Sequence, residues 1–359
     1  MKLEQDVARR ISMLRFILIA VVVFLHIAEP GPIATLDFSS HFEVVRAFTQ
    51  GQIGRICVPV LTMISAYLLF SANLDQAPAK LYKKKARTLL IPFLIFNVCY
   101  VAILACLEYV TGLVAVTSIL NAEPMRVVNM LFAVDKKPLN VPLHFLRELF
   151  VLVLLAPLFG LLLRRAPLFG LVLVSGFFLL NLDRQLILRN SMAVTFYIGG
   201  MAAIGRWDVK RYDRFAVHCC VALLLLCAAL IYFRVENRTA IYLAAPLLVW
   251  PMASLLQDTG FGNWAASKSK FSFFIFLGHM PLIELVRRMY LQVDDVVPKA
   301  VFIYGGPVLI IALLIQIYKM LAYLMPRGFS VAIGGRASER PGPPAPRADT
   351  LAHPTAPPG

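Results

Sequence analysis

Residues 15–31 read RFILIAVVVFLHIAEPG, an aliphatic run opened by Arg15 and carrying His26 near its far end. Eleven positions separate the two, which on an α-helix is three turns plus about 20°, so both project from one face. Along the axis they lie roughly 16 Å apart, about half the hydrocarbon thickness of a bilayer. Taken singly, Arg15 reads as a snorkelling anchor and His26 as a hydrogen-bonded interior residue. Ionisable groups at mid-membrane are rare and usually functional, however, so the pair is read as a track from one membrane edge toward the middle.

Working outward, the same aliphatic character recurs along the chain. Of 359 residues, 59% are hydrophobic and only 15% charged, and the mean hydropathy is +0.75. A water-soluble domain cannot hide that much apolar surface, whereas a bundle of spanning helices need not. Ten spans of about 20 apolar residues are predicted, at roughly 11–29, 52–72, 88–111, 143–163, 166–182, 191–206, 215–233, 240–256, 271–289 and 300–325. The fold class is therefore all-α, a polytopic transmembrane helix bundle. The first run is long enough for a secretory signal, but no small-residue cleavage site follows it, so it is read as a retained helix.

The net charge of +15 is a matter of placement, not of nucleic-acid binding. Lys and Arg crowd the start of the first span, the KLYKKKART run at 80–88, Arg164 and Arg165, Arg206 to Arg214, and the tail, while the intervening loops hold few. By the positive-inside rule both termini are cytoplasmic and the number of spans is even. The domain layout follows: residues 1–330 form the membrane domain, and 331–359, rich in Pro, Ala and Gly, form a disordered cytoplasmic tail. The APLFGL that occurs twice, at 156–161 and 166–171, is local chance and no architectural repeat. The six cysteines fall in spans without metal-ligand spacing, so no metal is expected.

Three further clusters carry chemistry. Lys84 and Arg87 stand at the cytoplasmic approach to the third span, where phosphate recognition suits them. His144, Arg147 and Glu148 share one face of the fourth span at i, i+3 and i+4, the spacing of a salt-bridged interfacial turn or an acceptor site. His279 lies between Gly278 and Pro281 in the ninth span, in a context that favours a structural imidazole. Ser65 reads as a serine bonded to its own helix, not as a nucleophile.

Four segments together resemble the acyltransferase-3 family of integral-membrane acyl carriers. RFILIAVVVFLH matches the family's basic residue, ten others, then histidine; VPVLTMISAYLLFS looks like its second helix; KKKARTLLIPF its basic approach to helix three; HFLRELFVLVLLAPLF its fourth helix, with FSFFIFLGHMPLIE as a later block. Three positions depart from the pattern: His144 replaces a tryptophan, Ala66 a glycine, and Lys84 with Arg87 stands for an RxxR pair. The resemblance implies an O-acyltransferase of the bacterial inner membrane, which takes an acyl group, acetyl above all, from cytoplasmic acyl-CoA to a hydroxyl of a cell-surface or lipid-linked carbohydrate. It implies His26 as the catalytic base or acyl carrier, Arg15, Lys84 and Arg87 as coenzyme contacts, and His144, Arg147, Glu148 and His279 as acceptor or supporting residues. Acyl-CoA is then a substrate, with no permanently bound cofactor; the partners are the donor, the glycan and the bilayer, and the oligomeric state is left open. The competing reading is a transporter or flippase, which lacks the inverted repeats such proteins show.

Overall fold

The computed structural model describes residues 4–112, 114, 117–134, 136–180 and 191–336. Among them all regular secondary structure is helical, as hydrocarbon demands, because a helix satisfies every backbone group within its own segment. Seven helices are long and apolar enough to cross a membrane: Gln5–Ile27, His41–Ser71, Pro78–Thr111, Val141–Arg165, Asp213–Tyr232, Gly260–Tyr290 and Lys299–Leu324. Three shorter apolar helices, Pro167–Leu179, Ser191–Ile204 and Thr239–Met252, complete the set. In chain order the α-helices are α1 (Gln5–Ile27), α2 (His41–Arg46), α3 (Cys57–Ser71), α4 (Pro78–Lys85), α5 (Ile91–Thr111), α6 (Pro124–Phe132), α7 (His144–Arg165), α8 (Pro167–Leu179), α9 (Ser191–Ile204), α10 (Ala216–Tyr232), α11 (Thr239–Met252), α12 (Ser254–Gln257), α13 (Gly260–Tyr290), α14 (Lys299–Leu324) and α15 (Pro326–Ala332).

The ends differ from the sequence expectation for local reasons. α9 stops at Ile204 because the chain turns through Arg206, which takes a left-handed φ of 50°. α11 contains Pro246 and Pro251 and gives way at Met252 to the short α12. α13 starts well before the expected residue 271, since the Thr259 side chain accepts a hydrogen bond from the Gly262 amide at 3.0 Å and caps a new first turn. The second and third spans each contain one π-helical turn, at Ala47–Gln52 and Ala86–Leu90. Such turns are rare and cluster at functional sites. Of the tail expected at 331–359, residues 337–359 lie outside the described residues, whereas 331–336 close α15 and form the turn after it.

Two parallel helix pairs organise the bundle. α1 runs alongside α13 over its whole length, with Arg9 bonded to Asn263 at one end and the rings of His26 and His279 together at the other. α3 runs alongside α9 through small residues: a Cβ on Gly199 would collide with the Met63 carbonyl oxygen and lie 3.0 Å from the Ala66 Cβ. Ala66 thus takes up its departure from the family glycine without loss of contact, because the partner helix supplies the glycine.

Ion pairs close the two ends of the bundle. At the end bearing the N-terminus, buried Arg10 donates to both carboxylate oxygens of Asp213 at 2.8 and 2.6 Å and to Gln257 at 2.7 Å. Arg164 bonds the buried Asp75 on the same side. At the opposite end Lys299 bonds Glu43 at 3.2 Å, and Glu236 accepts from the Ala34 amide at 2.8 Å.

The α3–α9 contact predicts a contrast between two glycines. Gly199→Ala should destabilise the protein by about 1–3 kcal/mol, the usual cost of overpacking, read as a lower thermal midpoint in detergent. Gly176→Ala, where an added Cβ meets no atom within 4 Å, should leave the midpoint unchanged.

Candidate functional site

The C-terminal end of α1 is held in place by its neighbours. Its final carbonyls have no partner within the helix. Two residues at i and i+4, one in α2 and one in the π turn that follows, hold this end: Gln50 donates to the Phe24 carbonyl of the last turn at 2.7 Å, and buried Arg46 donates to the carbonyls of Ala28 and Glu29 just past it, each at 3.3 Å. Arg46 is itself anchored by Glu43 at 2.7 Å. The turn bearing His26 is thereby fixed from its neighbour.

His26 lines a cavity of about 270 Å³ with Glu29, Arg55, Lys137, Arg238 and Tyr242. Its Nδ1 is 4.0 Å from a Glu29 carboxylate oxygen, and Arg55 lies 3.6 Å from the other. Phe145 and Phe276, packed edge to face, supply the apolar wall. Behind His26 stands His279, fully buried, with ring centroids 5.7 Å apart. The His279 Nδ1 is 2.8 Å from the Phe276 carbonyl oxygen and 3.1 Å from that of Ile275. An imidazole, one carboxylate and three cations thus surround a space large enough for a small reacting group.

At the other end of the same face, Arg15 belongs to a cationic cluster. Lys85 lies within the field of Arg336, Lys84 and Arg15. Burial and then the neighbouring Arg15 charge pull Arg336 down to about 10. Arg336 reaches this place by a turn through Gly334 and Gly335, at φ of 68° and 78°, where a Cβ on Gly334 would meet the Thr88 backbone. Its guanidinium donates to the Thr88 carbonyl at 2.8 Å and sits 3.8 Å over the Phe273 ring. Thr88 is in the second π turn, and Arg87 is exposed just before it. Like charges gathered in this way form a receptor for a polyanion.

The open lane expected between the two ends is closed. Ile19 and Val22, which follow Arg15 on the same face, are buried at 7% and 4% exposure, and the cavity ends at Val22. His144, Arg147 and Glu148 do come together, but behind the cavity wall. Glu148 is fully buried, accepts from Arg147 at 2.8 Å, and lies 3.6 Å from the His144 Nδ1. Arg147 also donates to the Val134 carbonyl, so the trio ties the start of α7 to the preceding loop. Ser65 donates to the Leu61 carbonyl at 2.7 Å, as a serine bonded to its own helix does. Arg46, Gln50, Lys137, Arg238 and Arg336 were not singled out from sequence. Only the four-residue spacing of Arg46 and Gln50 in an apolar stretch signalled a shared face.

The comparisons with known proteins identify the family. An acyltransferase domain matches residues 9–317. The chain is similar, at 30% identity over 352 residues, to the succinoglycan biosynthesis protein ExoH of Rhizobium meliloti, covering 94% of this chain and 95% of the relative. No solved structure matches. With the basic residue, the ten-residue interval and the histidine placed on one helix face inside the matched region, the chain belongs to the acyltransferase-3 family and is a multi-pass membrane acyltransferase.

Proposed function

We propose that the enzyme transfers an acyl group, acetyl above all, from acyl-CoA on the cytoplasmic side of the bacterial inner membrane to a hydroxyl of a cell-surface or lipid-linked carbohydrate. The observation that carries this reading is the single face of α1, with Arg15 in a cationic cluster at one end and His26 in a cavity at the other. Gathering of the basic helix ends around Arg10, Arg164 and Arg336 supports ten spans with both termini cytoplasmic. The relative's role in succinoglycan biosynthesis supports a polysaccharide acceptor. The tail from 331 onward acts through its first residues, which carry Arg336.

In this reading Arg15, Lys84, Lys85, Arg87 and Arg336 receive the coenzyme's phosphates, for which guanidinium forks are well matched. The extended pantetheine arm runs along α1 toward His26. Since Ile19 and Val22 are packed, the arm enters by parting this face from its neighbours, which keeps water from the thioester until donor is bound. His26 takes the proton of the acceptor hydroxyl as the oxygen attacks the thioester carbonyl. Arg55, Lys137 and Arg238 stabilise the oxyanion of the tetrahedral intermediate. Its collapse breaks the C–S bond, and the proton passes from His26 to the departing thiolate.

Two outcomes test the assignment. His26→Ala, inserted in membranes and folded, should lower transfer of label from acetyl-CoA to glycan by about 10²–10⁴-fold, the usual worth of a positioned base; full activity would remove His26 from the chemistry, and label that never leaves the coenzyme would point to a transporter. Arg336→Gln should raise the KM for acyl-CoA by about tenfold, equivalent to about 1.4 kcal/mol, with kcat nearly unchanged, measured by the rate of thiol release at varied donor.

A further inference from the structure

A base works through one ring nitrogen, and the N–H on the other must be held or the ring can turn and swap tautomers. Among the residues around His26, the group placed for this is His279. Carbonyl oxygens only accept, so the His279 Nδ1, facing those of Ile275 and Phe276, carries the ring proton. Its Nε2 is therefore a lone pair. That atom is buried and has no hydrogen-bond partner among the described residues, in a residue with 0% exposure. A buried acceptor left in this state is costly, and native proteins rarely tolerate one without a use. The ring beside it belongs to His26, on the helix that packs against α13 over its full length.

We propose that His279 is the positioning residue of the reaction: when the substrates bind, its Nε2, without a hydrogen-bond partner among the described residues, takes the ring N–H of His26 and so presents the opposite His26 nitrogen as a lone pair to the acceptor hydroxyl. Polar side chains that line the cavity with His26 include Glu29, Arg55, Lys137, Arg238 and Tyr242. Arg55, Lys137 and Arg238 are donors and cannot accept the N–H. Glu29 accepts, but at 4.0 Å it is beyond hydrogen-bond range, and its side chain is 56% exposed. His279 is dry, rigid and limited to one tautomer. When His26 takes up the hydroxyl proton, its N–H toward His279 becomes charge-assisted and strengthens as charge develops. His279 itself neither touches substrate nor changes its protonation.

This inference rests on the transfer reaction proposed above, and the test separates the two. Wild type, His279→Leu and His279→Gln are reconstituted in liposomes and assayed with labelled acetyl-CoA and deacylated glycan from a deletion strain. Leucine fills the space but cannot accept; glutamine restores an acceptor near the Nε2 position. His279→Leu should lose about 100-fold in kcat with KM for donor within about threefold, and His279→Gln should stay within about tenfold of wild type. Both should elute as wild type does on size exclusion. A His279→Leu enzyme as active as wild type overturns the positioning role. So do equal losses in both variants, because an acceptor would then not have been what was missing. An inactive wild type would overturn the transfer reading itself.

Discussion

The contact between α1 and α13 is the constraint on which the remainder of the site depends. The two helices start together at Arg9 and Asn263 and end together at His26 and His279. Between these ends α1 buries residues on nearly every side, among them Met13, Val23 and Ile27. In lipid, helix association gains little from the hydrophobic effect and relies on close packing and hydrogen bonds. An arginine at one membrane edge and an imidazole far along the same helix are therefore set in register with a second helix that carries a second imidazole. Arg46 and Gln50 add the last restraint by closing the end of α1.

The two ends of that helix have opposite chemical character. The N-terminal half gathers Arg15 with Lys84, Lys85 and Arg336, without a carboxylate among the charges that Lys85 or Arg336 feels. Such a site is unfavourable until an anion enters it, which suits a substrate that arrives carrying phosphates. The outer end mixes His26 with Glu29 and three cations around a small cavity. The proposed transfer needs one proton moved there and one transient negative charge stabilised. The packed stretch at Ile19 and Val22 separates the two, so in the proposed reaction donor and acceptor meet only when the helix face opens.

Much of this was legible from the residues. The all-helical fold and the order of its apolar helices followed from composition, because twenty apolar residues in a row have few other uses. The Arg15–His26 face followed from the helical period alone. Span ends were less accessible: the Thr259 cap and the left-handed Arg206 are single-residue events within stretches of unremarkable composition. The partnership of His26 with His279 was hidden for a different reason, since it depends on which helix packs beside which, and hydrophobic pattern does not encode that. Read within its own helix, His279 looked structural, and so it is, toward Ile275 and Phe276; its other nitrogen has the further use. Arg336 stands where composition already reads as tail, and only the turn at Gly334 and Gly335 returns it to the bundle.

The central claim is that one helix links a donor site and an acceptor site on opposite faces of the membrane. Sidedness tests it directly. In sealed proteoliposomes of known protein orientation, labelled acyl-CoA is supplied to the face bearing Arg15 and Arg336, and acceptor glycan is confined to the other. The account predicts label in the glycan across an intact bilayer, and none when the two substrates exchange sides. Transfer that requires both substrates on one face would contradict it.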